Sequence, residues 1–128
     1  MSLRSPLGRV LGLGAAHDGV RHWWWQRLSA VALIPLSVWF LVSLLALPSL
    51  GHATVVAWMS GAWTALLLIL LVLTAALHSQ LGVRVVVEDY VHGEGARLLT
   101  LTLVSFAHVL AAVAGVLAVL RVACGAAS

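Results

Sequence analysis

Two long stretches of this sequence contain no Asp, Glu, Lys or Arg, namely residues 28–83 and residues 98–120. A transmembrane helix needs about 20 apolar residues. The second stretch therefore predicts one membrane span, and the first is long enough for two. The segment 48–51 begins with Pro and ends with Gly, and both residues interrupt helices. We therefore expect two spans in the first stretch, at about 28–48 and 54–79.

Helices are the expected form of these spans. In lipid a backbone must satisfy its own hydrogen bonds, and a helix does so within one segment. The Leu-, Val- and Ala-rich runs at 65–73 and 109–120 lack the alternation of a β-barrel strand. The first span is also longer than the hydrophobic region of a signal peptide, about 7–15 residues. The sequence thus predicts an all-α integral membrane protein, with an N-terminal segment at 1–27 and a three-helix membrane domain at 28–128.

The composition agrees with a membrane protein and excludes other classes. Hydrophobic residues make up 62% of the chain and charged residues 9%, whereas a soluble domain carries about 25% charged residues. There is too little polar surface for a soluble monomer, and disorder requires the opposite composition. The pI of about 10.6 does not indicate nucleic-acid binding, because the basic residues are scattered and form no stripe.

The arginines predict how the chain crosses the membrane. Four arginines precede the first span and two lie in the predicted loop at 80–97, whereas Arg121 alone lies on the other side. Cytoplasmic segments carry an excess of Lys and Arg. We therefore expect the N-terminus and the loop in the cytoplasm and the C-terminus in the periplasm.

His78 falls near the cytoplasmic end of the second span. An ionisable residue at membrane depth is costly and is a functional hypothesis by default, and a neutral imidazole is a suitable axial ligand for haem iron. The alternative is a histidine that extends to the lipid headgroups.

His108 lies in the third span, about 16 Å from Arg97 at 1.5 Å per residue. This depth differs from that of His78, so we do not expect both histidines of one chain to hold the same haem. A hydrogen bond to a neighbouring helix is the preferred interpretation of His108.

The predicted loop at 80–97 contains Asp89 and Tyr90 side by side. A phenol beside a carboxylate can donate a hydrogen bond to a carbonyl group or pass a proton. The alternative is a solvated loop with a tyrosine anchor.

The three consecutive tryptophans at 23–25 are typical of an aromatic belt at the membrane surface, and contact with a partner is the alternative.

The chain resembles the hydrophobic membrane anchor of succinate dehydrogenase, the D-type anchor of respiratory complex II, in its proteobacterial form. The resemblance rests on the order and spacing of several motifs along nearly the whole chain. These motifs are His78, Gly82, Asp89 and Tyr90, the string Val87-Glu88-Asp89-Tyr90-Val91-His92, and the N-terminal segments at 6–10, 12–14 and 25–33. Three valines at 85–87 make the loop more apolar than in some relatives, which predicts a short interfacial helix.

The resemblance implies a role for four residues. His78 matches the axial ligand of haem b, which would lie between this chain and a three-helix C-type cytochrome b anchor that supplies the second ligand. Tyr90 matches the tyrosine that donates a hydrogen bond to a quinone carbonyl, and Asp89 matches the neighbouring carboxylate. Arg27 matches an arginine placed to pair with a haem propionate.

The resemblance also implies partners. A flavoprotein subunit would oxidise succinate, and an iron–sulfur subunit would pass the electrons to ubiquinone at the inner membrane. The isolated chain would have no catalytic activity.

Three alternatives do not need the resemblance: a structural membrane subunit without haem, a small transporter, and a self-assembling dihaem cytochrome. A transporter would require an acidic residue inside a span, and the four acidic residues lie outside the predicted spans.

Overall fold

The computed structural model describes residues 16–125, with side chains from residue 19 onward. This part of the chain has no strand and contains four helices, α1 (Ala16–Leu45), α2 (His52–Met59), α3 (Ala62–Tyr90) and α4 (Glu94–Ala123). Three of them, α1, α3 and α4, are long and apolar enough to cross a membrane. The predicted all-α fold with three membrane spans is therefore confirmed. The motifs at residues 6–10 and 12–14 lie outside the described residues.

α1 begins well before the expected start of the first span. It starts at Ala16, so the segment with the three tryptophans is already helical. The apolar part, Gly19–Leu45, has 27 residues, or about 40 Å at 1.5 Å per residue. A bilayer core is about 30 Å thick. The first turns of α1 therefore extend beyond the hydrocarbon region.

The second predicted span is divided in two. α2 ends at Met59 and α3 begins at Ala62, with Ser60 and Gly61 between them. Gly61 has an extended conformation (φ −65°, ψ 129°), and glycine is a poor helix former. The hydroxyl of Ser60 donates to the carbonyl oxygen of Val56 at 2.8 Å at the end of α2. The start of the predicted span is thus a separate short helix.

α3 continues through most of the segment that we expected to be a loop. It ends at Tyr90, and only residues 91–93 separate it from α4. Residues 83–90 contain neither Gly nor Pro. Arg84 Nε donates to Glu88 Oε1 at 2.8 Å, one turn later, and such pairs support a helix. The segment with the three valines is helical, but it forms the last turns of α3 and not a separate short helix.

The length of α3 explains its charged end. A helix of 29 residues is about 44 Å long, well above the roughly 30 Å of the bilayer core. The charged residues Arg84, Glu88 and Asp89 lie in the last two turns of this long helix. The chain reverses at Gly93, whose φ of 104° is accessible to glycine and strained for other residues.

α3 is the central helix of the bundle. Its backbone lies close to both α1 and α4, which do not approach each other closely within the described part of the chain. A Cβ atom at Gly115 in α4 would lie 2.8 Å from Val72 Cγ1 in α3. The absence of a side chain at Gly115 therefore permits this close crossing, as small residues do between membrane helices.

Few side chains are fully buried. The buried apolar ones among the described residues are Ala65, Leu68, Val87 and Val119. The ring centroids of Trp39 and Trp58 are 6.2 Å apart, and this stacked pair packs against the buried cluster and holds α2 against α1. The large exposed apolar surface suits helices that contact lipid or other membrane helices.

Candidate functional site

Two consecutive residues of α3 make polar contacts with the two flanking helices. His78 Nδ1 lies 2.9 Å from Ser29 Oγ of α1, and Ser79 Oγ lies 3.1 Å from His108 Nε2 of α4. Consecutive residues of a helix differ by about 100° around its axis. The central helix can therefore direct one side chain to each neighbour. These four residues form a polar layer across the three helices.

Ser29 has two polar contacts that bear on the tautomer of His78. The hydroxyl of Ser29 donates its single hydrogen to the carbonyl oxygen of Gln26 at 3.0 Å. While it donates there, it can only accept from His78; in that arrangement Nδ1 is the protonated nitrogen and Nε2 of the neutral ring carries a lone pair. Ser29 is 4% exposed, which shields this arrangement from water.

The second nitrogen of His78 is available to a group outside the chain. Nε2 of His78 has no hydrogen-bond partner among the described residues. The buried side-chain atoms without a partner there are His22 Nε2 and Gln26 Oε1, so Nε2 of His78 is not a buried atom. It is therefore accessible at the surface of the chain. A histidine that ligates a metal commonly donates its other N–H to a nearby acceptor. This donor set fits one axial ligand of a haem.

His108 forms the interhelical hydrogen bond that was predicted for it. Its Nδ1 lies 2.8 Å from the carbonyl oxygen of Val104. Because a carbonyl only accepts, Nδ1 donates and Nε2 accepts from the hydroxyl of Ser79. Both nitrogens of His108 are therefore occupied.

The expected difference in depth between His78 and His108 is wrong. The hydrogen bond with Ser79 places His108 level with the residue next to His78. The error arose because the depth of His78 was counted from the predicted end of the span at residue 79, whereas α3 extends to Tyr90. We still do not expect one haem to be held by both histidines, because both nitrogens of His108 are hydrogen bonded and not because the two residues differ in depth.

A column of polar side chains on α1 approaches α3. His22, Gln26 and Ser29 are spaced by four and three residues, which places them on one side of the helix. Gln26 lies against Gly82, where a Cβ atom would be 3.7 Å from Gln26 Nε2. His22 also lines an open crevice of about 460 Å³ between α1 and α3. The unpartnered atoms of His22 and Gln26 call for water or another polar group, since buried polar atoms are normally hydrogen bonded.

Arg27 is exposed and does not contact His78 within the described part of the chain. Its Cζ lies 4.9 Å from the centroid of the Trp23 ring, a cation–π contact. Arg27 is two positions before Ser29, so the two side chains leave α1 about 200° apart. The contact between Arg27 and Trp23 was not predicted from the sequence, although these two residues are four positions apart, the spacing that brings side chains together on a helix.

Asp89 and Tyr90 lie at the end of α3. Tyr90 is 77% exposed and is 12 residues beyond His78, or about 18 Å along the helix. Within the described residues neither side chain has a hydrogen bond, whereas the adjacent Glu88 pairs with Arg84. Asp89 and Tyr90 are thus adjacent, exposed residues at one helix end, at a distance from His78.

Sequence reasoning did not identify Ser29 or Ser79. Both are short polar residues inside apolar segments, where a hydroxyl commonly bonds to its own helix. Ser79 directly follows His78, which is a signal that could have identified it, whereas Ser29 has no histidine beside it in the sequence.

Comparison with known proteins identifies a single family. The family of succinate dehydrogenase/fumarate reductase transmembrane subunits matches residues 1–117. The succinate dehydrogenase hydrophobic membrane anchor subunit of Paracoccus denitrificans is 32% identical over 89 residues, which cover 70% of this chain and 69% of that protein.

Two further relatives extend the match. The subunit of the same name from Rickettsia bellii is 29% identical over 117 residues, or 91% of this chain and 93% of the relative. The succinate dehydrogenase membrane anchor subunit of Reclinomonas americana is 28% identical over 90 residues, with 68% and 75% coverage. These matches agree with the resemblance drawn from the sequence motifs.

Proposed function

We propose a function from one premise: this chain belongs to the family of succinate dehydrogenase/fumarate reductase transmembrane subunits. It is a multi-pass membrane protein and a membrane anchor subunit of succinate dehydrogenase. We propose that it binds haem b together with a C-type cytochrome b anchor and forms part of the site where ubiquinone is reduced. The alternative is an anchor that only holds the complex in the membrane.

The accessible Nε2 of His78 carries the haem proposal. Haem bound here would supply a one-electron redox group within the membrane. His78 presents a lone pair outward, and its ring is held by Ser29. The other nitrogen donor at this level, His108 Nε2, accepts from Ser79. The second axial ligand would therefore come from the partner anchor.

Tyr90 and Asp89 are the proposed quinone-binding residues. The exposure of Tyr90 leaves its phenol free to donate a hydrogen bond to a quinone carbonyl. Asp89 has no ionic partner among the described residues, in contrast to Glu88, so its carboxylate is available to orient Tyr90 or to pass a proton. Both lie at the charged end of α3, where a quinone headgroup can meet the aqueous phase.

Arg27 is the proposed partner of a haem propionate. Arg27 Cζ lies 4.9 Å from the centroid of the Trp23 ring, and its N–H groups have no carboxylate partner among the described residues. These donors suit a carboxylate, which arginine binds with paired hydrogen bonds. Trp23 would thus hold Arg27 ready for a group that lies outside this chain.

The chemistry of succinate belongs to the partners in this proposal. A flavoprotein subunit oxidises succinate, and an iron–sulfur subunit carries the electrons to the membrane. The polar start of α1 and the charged end of α3 would face the cytoplasm of a bacterium and receive this soluble arm. The C-terminus would then lie in the periplasm, as the distribution of arginines predicts.

The dithionite-reduced optical spectrum of the purified complex tests the proposal. We expect b-type haem bands in the wild-type complex and their loss in His78→Ala. His52→Ala is the matched control, because His52 is exposed on α2 and far along the chain from the polar layer. Haem bands that are absent from the wild type, or unchanged in His78→Ala, would support the purely structural anchor.

A further inference from the structure

We propose that Ser29 is a positioning residue for the haem ligand: it fixes the tautomer and the ring orientation of His78. This inference rests on the proposed function, since it assigns to Ser29 an effect on a group that His78 would bind. The segment 25–33 contains Ser29, but nothing in the sequence gave this residue a role. The observation that carries the proposal is the pair of hydrogen bonds that meet at its hydroxyl.

The hydroxyl of Ser29 has one role available toward His78. Its hydrogen is directed to the carbonyl oxygen of Gln26 at 3.0 Å, within the same helix. With that hydrogen on Gln26, the contact at 2.9 Å with His78 Nδ1 is a bond that His78 donates. A hydroxyl that could rotate freely would accept either tautomer of the ring, whereas this one accepts only the tautomer with the lone pair on Nε2.

Burial makes this selection effective. Ser29 is 4% exposed and is the buried polar residue of the described chain. Water therefore does not replace the serine as an acceptor for Nδ1–H. If the hydroxyl were removed, the N–H of His78 would have no partner at this position, and the ring could rotate about its side-chain bonds.

The hydrogen bond also affects the electronic character of the ligand. An acceptor at Nδ1–H raises the basicity of the opposite nitrogen. A more basic imidazole stabilises the oxidised form of haem iron over the reduced form. Loss of the Ser29 hydroxyl should therefore raise the reduction potential of the haem and broaden the range of ring orientations.

α1 contains a matched control for Ser29. Ser43 donates its hydroxyl hydrogen to the carbonyl oxygen of Phe40 at 3.1 Å, three residues earlier, as Ser29 does to Gln26. Within the described part of the chain Ser43 contacts no histidine. Replacing Ser43 thus removes the same bond within the helix without removing an acceptor from His78.

The experiment compares Ser29→Ala, Ser29→Thr and Ser43→Ala in the purified complex. The measurements are haem content, the reduction potential of the haem, and its low-spin electron paramagnetic resonance signal. We expect Ser29→Ala to raise the potential and to shift or broaden the signal. Ser29→Thr, which keeps a hydroxyl, should return both toward the wild type, and Ser43→Ala should match the wild type.

Two results would overturn the role of Ser29. In the first, Ser29→Ala has the potential and the signal of the wild type at full haem content. In the second, Ser29→Ala and Ser43→Ala change both to the same extent, which indicates general packing. Loss of haem from Ser29→Ala that Ser29→Thr restores supports the role. If instead the proposed function is wrong, His78→Ala will leave the haem spectrum unchanged. That result is distinct from both results for Ser29.

Discussion

Ser79 Oγ lies 3.1 Å from His108 Nε2 and joins the central helix to α4 at the level of the candidate haem ligand. Because His108 donates through Nδ1 to its own helix, this bond has a defined direction, with Ser79 as the donor. The preceding residue on the central helix, His78, contacts the opposite helix. The two contacts together set how α3 is rotated between its neighbours.

Removing either partner of this bond should weaken the packing of α3 on α4. A double-mutant cycle with Ser79→Ala and His108→Ala should give a coupling energy of about 0.6 kcal/mol, typical of interhelical hydrogen bonds in membranes. The measurement is the thermal stability of the purified complex. Ser105→Ala serves as the control, because the hydroxyl of Ser105 donates within α4 to Leu101. Additive effects of the two substitutions would contradict the bond.

Gly115 should be intolerant of any side chain. A Cβ atom there would lie 2.8 Å from Val72 Cγ1, so Gly115→Ala should lower the free energy of unfolding by about 1–3 kcal/mol through overpacking. The double variant with Val72→Ala should regain much of this loss. Gly95→Ala is the control on the same helix, since a Cβ atom at Gly95 meets no atom within 4 Å. Equal stability of Gly95→Ala and Gly115→Ala would show that the close crossing is not needed.

Tyr90→Phe should reduce electron transfer to ubiquinone and leave the rest of the complex active. Loss of one hydrogen bond of about 1.4 kcal/mol corresponds to a tenfold effect. The assay compares succinate oxidation with ubiquinone and with an artificial acceptor that takes electrons before the membrane. Trp63→Phe, at the other end of α3 and 78% exposed, should change neither rate. Equal loss of both rates in Tyr90→Phe would indicate an assembly defect.

Asp89 and Glu88 should differ in function although they are adjacent. Asp89→Asn removes a carboxylate with no ionic partner in the described chain and should lower ubiquinone reduction. Glu88→Gln breaks the exposed pair with Arg84, which contributes about 0–1 kcal/mol to stability, and should leave the rate near the wild type. The ratio of the two ubiquinone-reductase rates is the measurement, and a larger effect of Glu88→Gln would reverse the assignment.

Much of this molecule could be predicted from its sequence. The absence of charge over 28–83 and 98–120 predicted three membrane helices, because each span must be apolar along its own length. The adjacent positions of Asp89 and Tyr90 and the polar environment expected around them also followed from local sequence. The family resemblance singled out His78 on the basis of spacing along the chain alone.

The tertiary structure decided how these pieces are joined. Charge placed the end of the second span at residue 79, but α3 continues through Gly82 to Tyr90, because a helix can extend beyond the bilayer and residues 83–90 contain neither Gly nor Pro. The relative depth of His78 and His108 depends on the register between α3 and α4, which is set where Gly115 meets Val72.

Sequence by itself determined that this protein is a three-span membrane helix bundle, since hydrophobic length is a property of each segment alone. Only the tertiary structure decided that Ser29 faces His78 and that Ser79 faces His108. These pairs are 49 and 29 residues apart in the chain, and no local pattern relates them. They meet because the packing of α1 and α4 on the central helix fixes rotation and register together.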